Sequence, residues 1–190
     1  MSSLAMTMTT RNKIHPHKFT LWIAIGSILM MFAGLTSAYI VKRNQANWES
    51  FELPLAFIYS TVAIVLSSVT IFLAGRAFQD RQMRRYRLLM LTTLILGLVF
   101  IALQVVGFRQ LLGFGLGLQA NVSVSFLYVI VGAHALHVAG GIIALAVMAL
   151  RSFSRKVRNY SILPVQILGT YWHFVDILWI YLLVFLVMIR

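Results

Sequence analysis

The sequence predicts an all-α membrane protein that folds as a bundle of five transmembrane helices. Hydrophobic residues make up 61% of the 190 residues and charged residues only 11%, whereas soluble domains usually carry about 25% charged residues. The apolar residues form long runs without the alternating polarity of membrane strands. Because an α-helix of about 20 apolar residues spans a hydrocarbon core, each run can cross the membrane once.

Each helix is predicted from one apolar run, in chain order. The first follows a polar tail, residues 1–18, and the second and fifth have Pro54 and Pro164 near their starts, where a missing N–H does little harm. Residues 110–150 are uncharged but too long for one helix, and their glycines mark a loop before the fourth helix. The predicted helices are residues 19–41, 53–75, 88–108, 123–150 and 163–189, and they form one membrane domain, residues 19–190.

Lysine and arginine are distributed unevenly between the two ends of the predicted bundle. Of the 16, most lie in the tail, between helices two and three, and between helices four and five, which are all on one side. Cytoplasmic loops carry the excess positive charge, so we expect a cytoplasmic amino terminus and a carboxyl terminus outside. This placement also explains the net charge of +12 without nucleic-acid binding. One cluster is expected to contact anionic lipid headgroups: Arg81, Arg84, Arg85 and Arg87.

Four ionisable side chains lie inside the predicted fourth and fifth helices: His134, His137, His173 and Asp176. The two residues on each helix are three positions apart and therefore share a face. At 1.5 Å per residue, His137 and Asp176 both lie about 20 Å from the outer surface. A charge at the bilayer centre costs about 2.5–3.5 kcal/mol, so Asp176 should have a partner, and His137 is the first candidate.

Three interpretations of these polar residues remain open. They can form a hydrogen-bonded contact between the two helices, they include ligand types that suit iron or zinc, or they can relay protons. A di-iron site needs several carboxylates, whereas Asp176 is the one acid in the predicted helices, and the first three helices contain no acidic or basic residue. The chain also has no cysteine. We therefore favour the structural contact and expect no catalytic, cofactor-binding or metal-binding residue.

Three segments resemble sequence patterns of a known family. Residues 171–176, Tyr-Trp-His-Phe-Val-Asp, with Trp179 after them, resemble the last helix of subunit III of the haem–copper cytochrome c oxidases. Residues 132–138 are similar to the Gly-x-His-x-x-His-Val segment on that family's preceding helix. Residues 96–100, with Gln104 after them, resemble its third-helix pattern. The resemblance spans residues 19–190.

The resemblance implies a non-catalytic accessory subunit in the five-helix bacterial form. Haems and copper would lie in partner subunits I and II, and this chain would stabilise subunit I, bind phospholipids and support proton uptake. It also implies aerobic respiration, proton translocation and the bacterial cytoplasmic (inner) membrane, and it is compatible with a larger respiratory supercomplex. One set of residues would form a structural polar cluster: His134, His137, Trp172, His173 and Asp176.

The first helix departs from the family pattern. Many relatives carry a glutamate in the corresponding helix, whereas this chain has none around Ser27 and Ile28. A proton-related role of that glutamate therefore does not transfer to this chain. Two alternatives stay open: an accessory subunit of a quinol oxidase or nitric oxide reductase, and an independent membrane carrier of metals or ions.

Overall fold

A computed structural model describes residues 16–43, 54–117, 121–153 and 161–189. These residues form five α-helices in chain order: α1 Pro16–Arg43, α2 Leu55–Gln79, α3 Met83–Gly113, α4 Val122–Phe153 and α5 Leu163–Ile189. No strand occurs in these ranges, and each helix is long and apolar enough to cross a membrane. The predicted all-α bundle of five membrane helices is therefore confirmed. Most of the predicted polar tail lies outside the described residues.

Four helices extend past at least one end of the apolar runs from which they were predicted, and α5 has its predicted range. α3 has 31 residues, about 46 Å at 1.5 Å per residue, and includes Arg84, Arg85 and Arg87, which are good helix formers. It ends before Gly115, whose φ of +75° suits glycine and stops the helix, as the glycine pattern predicted. Hydropathy located the segments within the bilayer, but helices also continue through charged residues into the interface.

Helix α5 packs against three of the other four helices, and α1 is the least buried helix of the bundle. α2 and α3 form the most extensively packed pair, while α5 packs against α2 and α4, and α1 reaches only α4 and α5. The buried side chains of α1 are Phe32, Thr36 and Tyr39, all in its carboxyl-terminal half. The amino-terminal half of α1 therefore stands away from the bundle.

Two clefts flank the amino-terminal half of α1. One lies between α1, α2 and α5, has a volume of about 430 Å³ and reaches His173. The other lies between α1, α4 and α5, has a volume of about 810 Å³ and is mostly apolar. Both open at the end of the bundle where α1 begins.

Candidate functional site

Aromatic rings of α5 bond to hydroxyl groups of α2. Trp172 Nε1 donates to Ser67 Oγ at 2.9 Å, and Trp179 Nε1 donates to Thr61 Oγ1 at 2.9 Å. The two tryptophans are seven residues apart on α5 and their acceptors six apart on α2, so the bonds lie at two successive levels of antiparallel helices. Each bond gives an indole N–H inside the bundle the hydrogen-bond partner that a buried polar group needs.

The indole of Trp172 fills a slot between two glycines. A Cβ atom on Gly97 of α3 would lie 3.0 Å from Trp172 Cη2, and a Cβ on Gly141 of α4 would lie 3.0 Å from Cζ3. Side chains do not approach one another so closely, so the ring fits because both positions lack a side chain. With Ser67 bound at its nitrogen, Trp172 contacts α2, α3 and α4 at once and is 1% exposed.

His137 does not pair with Asp176. Its Nδ1 lies 2.8 Å from the carbonyl oxygen of Ala133, one turn earlier in α4, and its own carbonyl oxygen accepts a hydrogen bond from the Tyr171 hydroxyl at 3.0 Å. Neither carboxyl oxygen of Asp176 has a hydrogen-bond partner in the part of the chain that the structure describes. The depth estimate brought the two residues to one level but did not fix the direction in which each side chain extends.

His134 occupies an aromatic cage. It is fully buried, and neither ring nitrogen has a hydrogen-bond partner among the described residues. Its ring stacks on Trp179 with centroids 5.1 Å apart, and Phe100 and Phe32 present edge-on contacts at 6.0 and 6.3 Å. Burying an unpaired charge is costly, so this cage suits a neutral imidazole that packs as an aromatic ring.

His173 and Asp176 are both adjacent to one hydroxyl group of α2. His173 Nδ1 lies 2.6 Å from Ser68 Oγ. The Ser68 side chain also interacts with the carboxyl of Asp176, although not in a geometry that counts as a hydrogen bond. A contact with such poor alignment contributes little as a hydrogen bond. Asp176 is 3% exposed.

Comparison with known proteins identifies the family. Residues 15–189 match the family described as Cytochrome c oxidase subunit III. The chain belongs to the cytochrome c oxidase subunit III family. The predicted family is confirmed, and with it a respiratory role and a multi-pass location in the bacterial cytoplasmic membrane.

Several bacterial relatives cover most of this subunit III chain. Cytochrome c oxidase subunit 3 of Bacillus sp. (strain PS3) is 25% identical over 166 residues, which are 85% of this chain and 80% of the relative. Probable cytochrome c oxidase subunit 3 of Nocardia farcinica is 34% identical over 163 residues, covering 83% and 80%. Probable quinol oxidase subunit 3 of Staphylococcus aureus is 26% identical over 172 residues, covering 87% and 85%.

Hydroxyl-bearing residues of α2 form contacts between helices that were not predicted from the sequence. Ser67 does donate to the Ile64 carbonyl oxygen at 2.6 Å, but it also accepts from Trp172, and Ser60 accepts from Gln104 Nε2 of α3 at 3.0 Å. The repeat of hydroxyl pairs at 60–61 and 67–68, matching the seven-residue spacing of the tryptophans, was the available signal.

The predicted headgroup cluster lies where α2 ends and α3 begins. Arg81, Arg84 and Arg85 are exposed, and Arg85 donates to Gln82 Oε1 at 3.0 Å. The guanidinium of Arg87 lies 5.5 Å from the centroid of the Phe153 ring. Lipid contact at this subunit III surface stays a prediction. Within the described ranges, His and Asp residues do not form a group of three or more that could hold a metal ion.

Thr61→Val should destabilise the bundle by about 0.6–1.7 kcal/mol, the range measured for hydrogen bonds between membrane helices. Valine keeps the shape of threonine but leaves Trp179 Nε1 without its acceptor. Thr92→Val is the matched control, because Thr92 is exposed on α3 and bonds only to the Leu88 carbonyl oxygen. Unfolding of both variants in mixed micelles measures the difference, and equal stability of the two would contradict the role of Thr61.

Proposed function

We propose that this chain is the non-catalytic subunit III of a haem–copper cytochrome c oxidase. In this role it stabilises subunit I and supports proton uptake, with phospholipids at the interface between the two subunits. The observation that carries the proposal is the use of the core polar groups as helix–helix contacts: the ring nitrogens of Trp172, His173 and Trp179 all lie against hydroxyls of α2. Such a core suits a rigid scaffold that supports a neighbouring subunit.

In this proposal the structural polar cluster keeps four of the five residues predicted from the sequence and leaves out Asp176. Trp172 and His173 join α5 to α2, His137 joins α4 to α5 through its carbonyl oxygen, and His134 packs in the aromatic cage. These four residues fix α5 within the bundle. Asp176 has no such bond within the described ranges and is left for a different role.

Haems and copper are assigned to partner subunits I and II in this proposal. The amino terminus is placed in the cytoplasm, because the end where α2 meets α3 carries the exposed Arg81, Arg84 and Arg85 and basic residues concentrate on the cytoplasmic side. The exposed apolar surface of α1, which includes Trp22 and Met30, is available for lipid or for a partner subunit.

Affinity purification of the tagged chain from its host in a mild detergent tests the proposal. We expect a haem-containing subunit to co-purify, with haem visible in the absorption spectrum of the eluate and close to a fixed ratio to the chain. The Trp172→Ala variant, which removes the central contact of the bundle, should recover much less haem per chain than the wild type. Recovery of a folded, haem-free wild-type chain without any partner would overturn the proposal.

A quinol oxidase is the second candidate, because the Staphylococcus aureus relative carries the name probable quinol oxidase subunit 3. The two candidates differ in the electron donor of the complex. Oxygen consumption by the purified complex with reduced cytochrome c, and separately with a reduced quinol, distinguishes them. Activity with the quinol alone would assign the chain to the second candidate.

Replacing Arg84 and Arg85 together by glutamine should weaken the binding of anionic lipid by roughly thirtyfold, or about 2 kcal/mol, since each basic residue at a membrane surface contributes about 1 kcal/mol. Arg109→Gln is the control, because Arg109 is exposed near the opposite end of α3. The amount of anionic phospholipid retained per chain after purification measures the effect. Equal retention by both variants would contradict headgroup binding at this cluster.

A further inference from the structure

We propose that Asp176 is a proton-exchange site, which receives and releases its proton through Ser68, His173 and the cleft between α1, α2 and α5. This inference goes beyond the proposed function, because it concerns the chain itself and needs no partner subunit. It is carried by three observations: a cleft with charged and amide side chains that leads into the bundle, a chain of three polar groups at its inner end, and a buried carboxyl with no hydrogen-bond partner among the described residues.

The cleft provides a route from the end of the bundle where α1 begins, along a wall that is apolar over the larger part of its area but contains several polar side chains. Its wall includes Lys18, Arg76, Gln79, Gln166 and Thr170. A volume of about 430 Å³ accommodates roughly a dozen water molecules at about 30 Å³ each. The opposite cleft, between α1, α4 and α5, is larger, has a smaller polar share of its wall and does not include His173.

His173 is the lining residue of α5 furthest from the mouth of the cleft. It lies ten residues beyond Leu163, where α5 begins, or about 15 Å along the helix axis. Its ring is half-buried, with Nδ1 2.6 Å from Ser68 Oγ. The ring therefore connects the cleft with a hydroxyl of the protein interior.

Asp176 lies one helical turn beyond His173, next to the same hydroxyl. The Ser68 side chain interacts with its carboxyl, and neither carboxyl oxygen has a hydrogen-bond partner among the described residues. A permanently ionised carboxylate in this position would be costly, because no cation of the described chain forms an ion pair with it. The neutral acid fits the site, and a donor and acceptor such as Ser68 can exchange its proton.

The route ends at Asp176. Beyond it, the buried face of α5 is formed by apolar side chains, including Leu178, Trp179 and Leu182. The remaining titratable groups near this part of α5 do not extend the route. Lys18 and Arg76 line the cleft, His137 is bonded to the Ala133 carbonyl oxygen, and His134 is enclosed by aromatic rings. Exchange therefore occurs with one side of the membrane.

Proton uptake balances without any other reactant. A hydronium ion of the cleft gives a proton to His173 Nε2, the ring gives its Nδ1 proton to Ser68 Oγ, and Ser68 passes its hydroxyl proton to the carboxylate of Asp176. One hydronium ion and one carboxylate become one water molecule and one carboxylic acid, and His173 ends as its other neutral tautomer. The reverse sequence releases the proton and restores the ring.

Infrared spectroscopy of the full chain in lipid nanodiscs tests the exchange. The C=O band of a protonated carboxylic acid should be present in the wild type and absent in Asp176→Asn, and it should shift when the buffer is changed to D₂O. Because a positioned proton carrier accelerates transfer by about a hundredfold or more, Ser68→Ala should slow the shift by about that factor. Ser67→Ala is the matched control, since its hydroxyl bonds Trp172 instead.

Three outcomes of that experiment would overturn the proposal. The first is a carboxylic acid band that survives Asp176→Asn, or no such band in the wild type at any pH. The second is a wild-type band that does not shift in D₂O. The third is exchange in Ser68→Ala as fast as in Ser67→Ala. His173→Phe tests the contribution of the imidazole independently of the Ser68 hydroxyl. This variant should slow exchange to a similar extent as Ser68→Ala.

Thiol accessibility tests whether the cleft contains water and which side it opens to. The chain has no cysteine, so single cysteines report on one position. Thr170→Cys lies in the cleft wall, whereas Thr92→Cys lies on α3 outside it, and both threonines are exposed and bonded to the carbonyl four residues earlier. In sealed vesicles, a charged thiol reagent should modify only the cysteine at position 170, and only from the side of the amino terminus. Failure of the reagent to modify either cysteine, or modification from the opposite side of the membrane, would overturn the one-sided route.

Discussion

Trp172→Ala should reduce the free energy of unfolding of the bundle by about 3–5 kcal/mol, the range for removing a buried tryptophan. The indole is 1% exposed and contacts α2, α3 and α4 together. Its removal opens a cavity between Gly97 and Gly141, which have no side chains to fill it, and leaves Ser67 without its indole partner. The site therefore cannot collapse without moving whole helices, which places the cost at the upper part of the range.

Trp22→Ala is the control for Trp172→Ala. Trp22 is also a tryptophan of a membrane helix, but it is 62% exposed on α1. Its replacement should leave unfolding in mixed micelles almost unchanged. Equal losses of stability for the two variants would show that tryptophan content, rather than the slot of Trp172, determines the stability of the bundle.

Gly141→Ala should destabilise the bundle by about 1–3 kcal/mol, the usual cost of inserting a methyl group into a filled core. The new Cβ would lie 3.0 and 3.1 Å from Trp172 Cζ3 and Cε3, and 3.2 Å from Tyr171 Cε1. The ring of Trp172 has little room to move away, because Gly97 lies on its other side, where a Cβ atom would be only 3.0 Å from Trp172 Cη2. Alanine is the better helix former, so a loss of stability would come from packing.

Gly140→Ala separates that packing effect from helix propensity. Gly140 is the neighbouring residue of α4, and a Cβ atom there meets nothing within 4 Å. Its replacement should be neutral or stabilise the bundle by up to about 1 kcal/mol, the difference between alanine and glycine in a helix. The two variants are compared by thermal unfolding in the same detergent. A similar gain for both would mean that Trp172 has room to shift.

Hydropathy was sufficient to predict the five helices, because the bilayer requires each spanning segment to satisfy its own backbone. The helix ends were less predictable. α1 begins at Pro16 and α3 at Met83, each within a charged region that hydropathy assigns to the connections. A helix stops where its backbone geometry changes, as at Gly115, rather than where the apolar residues end.

The residues of the polar core were recognisable in the sequence, but their partners were not. Counting residues gives the depth of His137 and Asp176, whereas pairing depends on rotation about the helix axis and on which helix lies opposite. The structure places α2 against α5. Trp172 and His173 of α5 therefore contact Ser67 and Ser68 of α2. The slot formed by Gly97 and Gly141 depends on three helices at once, and a single sequence does not reveal which glycines face one another.

The position of Trp172 on the last helix has a consequence for biosynthesis. Its slot is formed by α3 and α4 and its acceptor by α2, all of which are synthesised before α5. The first four helices therefore reach the membrane with an open slot at Gly97 and Gly141 and with Ser67 and Thr61 not yet accepting the indole N–H groups of α5. Insertion of the final 27-residue helix completes the core, so a truncated chain without α5 cannot form the scaffold that a partner subunit would recognise.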